Sequence, residues 1–307
     1  MKLLAGVCAA SVIAFSAPAM AQNVGDSLFD GACVALKHKF NGNPLNQRGG
    51  IGDVIFNKTI DSGTDIFKNS SVICSIDDPR VMLVTTVDFI NRTALSAAQG
   101  MSSIEKALGL KNETAVYVAQ LEAVLQGGDP TQQIDNERLK VTERLGARAK
   151  AIRAELDKKE SENYLTPEAR ELVIAAQGDL SRAAYFLSQS ATGASSFGLM
   201  FSKMTPDQQL SFSLPGSTDE QSVSNSFLVS APSRVLDMGN NLRNVVSLGG
   251  KVEDSLSPKD IDEMRKQIKG ERKKSAKQAK KDAKAVAAKY EGQIEDSPYA
   301  SMYSGAN

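Results

Sequence analysis

Few residues in this chain are equipped for chemistry. Catalysis needs a nucleophile beside a base, a carboxylate pair in a cleft, or a metal. The single histidine, His38, sits in Leu36-Lys37-His38-Lys39, a charged setting that suits a solvated imidazole better than a general base. No G-x-S-x-G, H-E-x-x-H or phosphate-binding glycine loop occurs. The stretch Asp61-Ser62-Gly63-Thr64-Asp65 has the residues of a turn. It lacks the alternating acids and closing glutamate of a calcium loop. The chain is therefore read as non-enzymatic, with no cofactor and no metal.

Cys33 and Cys74 are the cysteines that remain beyond the first twenty-one residues, and their meaning depends on where the chain goes. Lys2, the apolar stretch Leu3 to Phe15 and Ala19-Met20-Ala21 make the three parts of a secretory signal, with cleavage near Ala21 and a mature start at Gln22. Cys8 lies inside the apolar stretch, and Val7 before it is not the small residue that a lipidation site requires. In an oxidising compartment an isolated cysteine pair reads as a disulfide. Joining Cys33 to Cys74 would contribute roughly 3–4 kcal/mol in the chain-entropy view. A metal at Cys33 and His38 would need a fourth ligand, which the sequence does not supply nearby. The short, alanine-rich signal points to a bacterial envelope, periplasmic or secreted. The sequons at Asn57, Asn69, Asn91 and Asn112 are then chance.

The third kind of reactive residue is lysine. Between Arg265 and Lys289 stand eleven Lys or Arg against two acids, Glu271 and Asp282, a net +9. The whole chain sums to zero, so the remainder carries −9. Lys273, Lys274, Lys277, Lys280, Lys281 and Lys284 are the densest part. Ala276, Ala279, Ala283, Val286 and Tyr290 thread through them at three-four spacing, which predicts a basic helix with a thin apolar seam. Export argues against nucleic acid, and no aromatics interleave to stack bases. The partners that fit are a protein or an anionic envelope component, either a lipid headgroup or an acidic polysaccharide. The seam is too thin to insert into a bilayer. No run after the signal reaches the ~18 apolar residues of a membrane span.

The elements that would position these residues are helical. Alanine, leucine, lysine, glutamate and glutamine are plentiful, and tryptophan is absent. A capping residue followed by proline recurs at Asp78-Pro79, Asp129-Pro130, Thr166-Pro167, Thr205-Pro206 and Ser257-Pro258. Such a side chain accepts bonds from the free amides of a first turn, and proline sacrifices no bond there. Gly127-Gly128 and Gly249-Gly250 read as stops for helices begun near Glu113 and Ser233. Arg80 to Ile90 has the β-branched content of a strand, but its Asp78-Pro79 start and alanine-rich continuation predict a helix.

Two apolar stripes stand out. Leu145, Ala149, Ile152 and Leu156 form one; Ala169, Val173, Ala176, Leu180, Ala183 and Leu187 form the other. The short link between them predicts a coiled-coil-like αα-hairpin with arms of roughly 35–40 Å. Residues 22–76 read as a loop-rich cap, stapled by the disulfide, with a short β-hairpin drawn from Val54–Phe56 and Val72–Ile76. A second hairpin is expected near 210–230, where Leu210, Phe212 and Leu214 alternate before Phe227-Leu228-Val229. Small residues around Gly193 predict close helix packing or a helix break, with a membrane-active tongue as the competing reading.

The expectation is thus a mainly α, elongated helical bundle. Its parts are a signal (1–21), the stapled cap (22–76), a helical body (77–250) and a basic helix with a polar tail (251–307). The helical seams also offer a surface for homo-oligomers. The function it suggests is a binding or scaffold protein of the envelope, a secretion or surface-assembly accessory. A lytic helical protein, or an envelope-polymer hydrolase with unrecognised carboxylates, are the alternatives.

Overall fold

A computed structural model describes residues 72–76, 79–127, 133–158, 165–203, 225–253, 256 and 258–289. After a short 3-10 turn at Val72–Ser75 come six helices. They are α1 (Pro79–Ala107), α2 (Ala115–Gly127), α3 (Asn136–Lys158), α4 (Pro167–Lys203), α5 (Asn225–Glu253) and α6 (Pro258–Lys289). The described residues hold no strand. The fold is mainly helical, as its composition predicts.

Three of the cap-proline marks coincide with helix starts, at Pro79, Pro167 and Pro258. At the second, the amide of Ala169 donates to Thr166 Oγ1 at 3.2 Å. Asp129-Pro130 and Thr205-Pro206 lie outside the described residues. Asp135 caps α3, its Oδ1 accepting from the Arg138 amide at 2.8 Å. The C-terminal end of α1 is a Schellman turn: Gly109 adopts φ +66°, its amide reaches Lys106 O at 3.1 Å, and the Leu110 amide reaches Glu105 O at 2.8 Å.

α1 and α4 form the central pair. Phe89 meets Phe186 at a centroid distance of 5.3 Å. A Cβ on Gly100 would touch Leu180, and one on Gly193 would collide with Thr86, so the two helices run antiparallel in close approach. α1 is buried on nearly every side. Two of its buried hydroxyls bond back along the helix, Thr86 Oγ1 to Met82 O at 2.7 Å and Thr93 Oγ1 to Phe89 O at 2.9 Å. This burial is why the β-branched run from Val81 to Val87 is helix and not strand. α4, 37 residues and about 55 Å long, passes through Gly193 without a break. Gly193 is enclosed by Thr86 and Ile73, which makes it a close-packing residue.

The two apolar stripes are buried as expected: Leu145, Ile152 and Leu180 are at most 2 % exposed. Their pairing differs from the simple hairpin. α3 and α4 run antiparallel, but α3 packs on α5, which also packs on α4. Along α3 and α5, Ile134 O accepts from Arg234 Nη1, Thr142 Oγ1 accepts from Asn241 Nδ2, and Asp157 pairs with Lys251. These pairs advance in step, so α3 and α5 are parallel. Glycine makes the close approach: a Cβ on Gly146 would lie 2.7 Å from Asn241 O. Two apolar stripes separated by a short link need not face each other when a third helix offers the tighter fit.

Three further expectations are corrected. The Val72–Ser75 part of the predicted β-hairpin is a 3-10 turn, because Val72 and Ile73 bury against the helices and the Ile73 amide donates to Gln189 Oε1 at 3.4 Å. The end of the hairpin expected at 210–230 is the first turns of α5, which carries Pro232 internally. Gly249-Gly250 does not stop that helix, since Gln177 Nε2 donates to Gly249 O at 2.6 Å from α4 and the glycine is a contact point. Residues 22–71 and 204–224, with Cys33, His38, Asp61–Asp65 and Val54–Phe56, lie outside the described residues.

Candidate functional site

α6 lays one narrow face on the body. Met264, Ile268, Ser275, Ala279 and Ala283 are buried, and Ile261, Ala276, Val286 and Ala287 are partly buried against the same core. Small residues fill most of this seam, so the helix can lie close to α4 and α1. Gly178 of α4 supplies part of the space, since a Cβ there would stand 3.2 Å from Gln267 Nε2. α6 runs parallel to α4, as the pairing of Gly178 with Gln267 and Arg182 with Glu271 shows.

Charge orders the rest of the contact. Both acids of the basic segment turn inward, onto arginines of the body. Glu271 Oε2 lies 3.0 Å from Arg182 Nη2, which also reaches Asp179 Oδ1 at 3.2 Å. Asp282 Oδ2 lies 3.3 Å from Arg92 Nη2, and Arg92 Nε contacts Asp88 Oδ2 at 2.6 Å. Arg272 is the one described cation that turns in with them, its Nε 3.4 Å from Ser181 Oγ. Burial pulls its pKa down to about 10, which leaves it cationic at neutral pH.

The surrounding carboxylates feel opposing influences. Burial raises Asp88, with Arg92 pulling it down and Asp282 adding to the rise. Burial likewise raises Asp179, against Arg182 and with Glu271. Burial is also the largest influence on Glu271, but the hydrogen bonds and charges of Lys274 and Arg182 outweigh it, and its pKa is lowered.

With Glu271 and Asp282 turned in, the outer side of α6 is left to cations from Arg265 onward, after the exposed Asp262 and Glu263 of its first turns. Arg265, Lys266, Lys269, Lys273, Lys274, Lys277, Lys280, Lys281 and Lys284 are all exposed. The structure brings the six sequence-predicted lysines together on one side, over about 30 Å of helix from Arg265 to Lys284. Lys274 bonds Glu271 at 2.8 Å and stays 76 % exposed. Cys74 falls in the 3-10 turn, and Cys33 lies outside the described residues. Sequence reasoning did not find the clamp of Asp88, Arg92, Asp179, Arg182, Glu271 and Asp282. A signal existed: Glu271 and Asp282 stand eleven residues apart, three helical turns, so they share a face.

A second ionic cluster sits at the far end of α1. Glu105 is fully buried, paired with Arg148 Nε at 2.6 Å and accepting the Thr114 amide at 3.0 Å. Arg148 also donates to Lys111 O at 3.2 Å. Both carboxylate oxygens are thus occupied in tying the α1–α2 turn to α3, a structural role. Among the described residues no group of three or more His, Cys, Asp or Glu could hold a metal ion, and no helix is long and apolar enough to cross a membrane. The chain matches no known protein family, no curated protein and no solved structure.

Proposed function

We propose that the chain is an exported, non-enzymatic binding or scaffold protein of the bacterial envelope, a secretion or surface-assembly accessory. In this reading the outer face of α6 engages an anionic partner. The observation that carries it is the sorting of charge along α6 from Arg265 to Lys284: nine cations face out while the two acids of that stretch, Glu271 and Asp282, face in against arginines. A helix that served solubility alone would gain nothing from removing its acids from the exposed face, since mixed signs dissolve equally well. Export rests on the Lys2, Leu3–Phe15 and Ala19-Met20-Ala21 signal, and the Cys33–Cys74 disulfide rests on that export.

The test is binding of the intact secreted chain to washed envelope fractions across a salt series. Binding should weaken steeply as the Debye length contracts from about 10 Å at 0.1 M to 3 Å at 1 M. It should be lost when Lys273, Lys274, Lys277, Lys280, Lys281 and Lys284 are changed to glutamine. Undiminished binding by that variant at low salt would refute the role of the face.

A further inference from the structure

The shape and chemistry of the cationic face narrow its partner. We infer that it is a docking surface for the plane of anionic phospholipid headgroups, an inference that rests on the anion-binding reading above. Four observations lead there. First, the cations occupy one side of a single uninterrupted helix, the side away from its packed seam. A cylinder of this kind meets a plane along its whole length but offers no groove to enclose a chain. Second, α6 is held at two levels by Arg182–Glu271 and Arg92–Asp282, so it cannot easily wrap around a flexible polymer.

Third, eight of the nine exposed cations from Arg265 to Lys284 are lysines. Lysine is a mobile point charge without the fork that fixes a carboxylate or sulfate in one geometry. It suits a fluid headgroup layer in which the charges move to meet it. Fourth, the exposed positions between the lysines include Gln278 and Ala285 and no large apolar side chain. The centre of a protein–protein interface is poor in lysine and built on buried aromatic or arginine anchors, so an acidic protein fits this face badly. The absence of large apolar residues also means adsorption without insertion. A cluster of four to eight lysines or arginines on a helix is enough for such attachment, each contributing about 1 kcal/mol, or roughly fivefold in affinity, near an anionic surface.

The experiment is cosedimentation of the intact secreted chain with vesicles of phosphatidylglycerol and phosphatidylcholine in equal parts, against pure phosphatidylcholine. Binding should occur only with phosphatidylglycerol, disappear at high salt and release no trapped dye. Tryptic cleavage between Lys273 and Lys284 should slow on those vesicles and not in solution. The variant with the six lysines changed to glutamine should bind at least about a hundredfold more weakly. A second variant with the same six changed to arginine should bind as the parent does, which guards against a misfolded glutamine variant. Retention on polygalacturonate without binding to vesicles would overturn the lipid inference and leave the anionic-face reading intact. Failure to bind vesicles, polygalacturonate or envelope fractions would overturn both. Dye release would overturn adsorption without insertion.

Discussion

Burial penalises the charged form of two carboxylates of the body, Asp88 and Asp179, and this has a consequence for pH. Burial raises both above their ordinary 3.8, so the folded chain binds protons that the unfolded chain would release. Stability therefore increases as pH falls through the folded values and levels off below the unfolded ones. Glu271 acts in the opposite sense: its lowered pKa contributes stability above 4.5, which is lost as pH falls through the folded value. Replacing Asp88 and Asp179 by asparagine should raise the melting temperature at pH 7 relative to the parent, and the advantage should vanish toward about pH 4. A constant difference across that range, followed by circular dichroism, would show that the two groups are not the ones titrating. A glycine supplies a second residue-level prediction. Gly109 holds φ +66° with open space around its Cβ position. Gly109→Ala should thus lose about 1–2 kcal/mol from the backbone alone, measured by urea unfolding.

Among the helices, glycine has two opposite meanings, and position alone separates them. Gly146 lies where α3 crosses α5, and a Cβ there would press on the Asn241 backbone. Gly146→Ala should push the two helices apart and lower stability by about 1–3 kcal/mol, despite the better helix propensity of alanine. Gly270 of α6 has nothing within 4 Å of its Cβ position, so Gly270→Ala should raise stability by about 0.5–1 kcal/mol. Equal effects at the two sites in thermal unfolding would mean that α3 and α5 do not approach as closely as Asn241 requires. The boundaries of these helices were largely legible in the sequence. Pro79, Pro167 and Pro258 start helices because cap and proline chemistry acts within one turn. The start placed near Ser233 and the stop at Gly249-Gly250 misled for the same reason: each resembles a boundary locally, yet α5 runs through both. Packing on α3 and α4 outweighs the local penalties.

For the molecule as a whole, the basic arm and acidic body inferred from composition are one packed unit. α6 shares the core of α1 and α4 through Met264, Ile268, Ala279 and Ala283, and its lysines point away from it. Removing the six lysine charges should leave the melting temperature nearly unchanged, because glutamine has similar helix propensity and none of these side chains is buried. Changing Glu271 and Asp282 together to lysine should instead lower it markedly, by setting cations against Arg182 and Arg92. If the two variants melt alike, the inward clamp is not what holds α6. Under the proposed export, mass spectrometry of the mature chain without reductant should find a peptide linking Cys33 to Cys74. Two freely alkylated thiols would rule the bridge out.

What the sequence determined by itself was whatever short-range chemistry decides. This includes the helical class, the capped starts, the buried stripes from Leu145 to Leu156 and from Ala169 to Leu187, and the concentration of lysine after Arg265. Apolar spacing and caps operate over three or four residues and leave a direct trace in the order of amino acids. The tertiary structure alone decided which helix each stripe meets, because alanine and leucine stripes are interchangeable partners until glycine contacts such as Gly146 with Asn241 select one. It also decided the direction of the acids on α6. Counted along the chain, Glu271 and Asp282 only dilute a positive run. In the fold, Arg182 and Arg92, far away in sequence, draw them inward and leave the outer face cationic from Arg265 to Lys284.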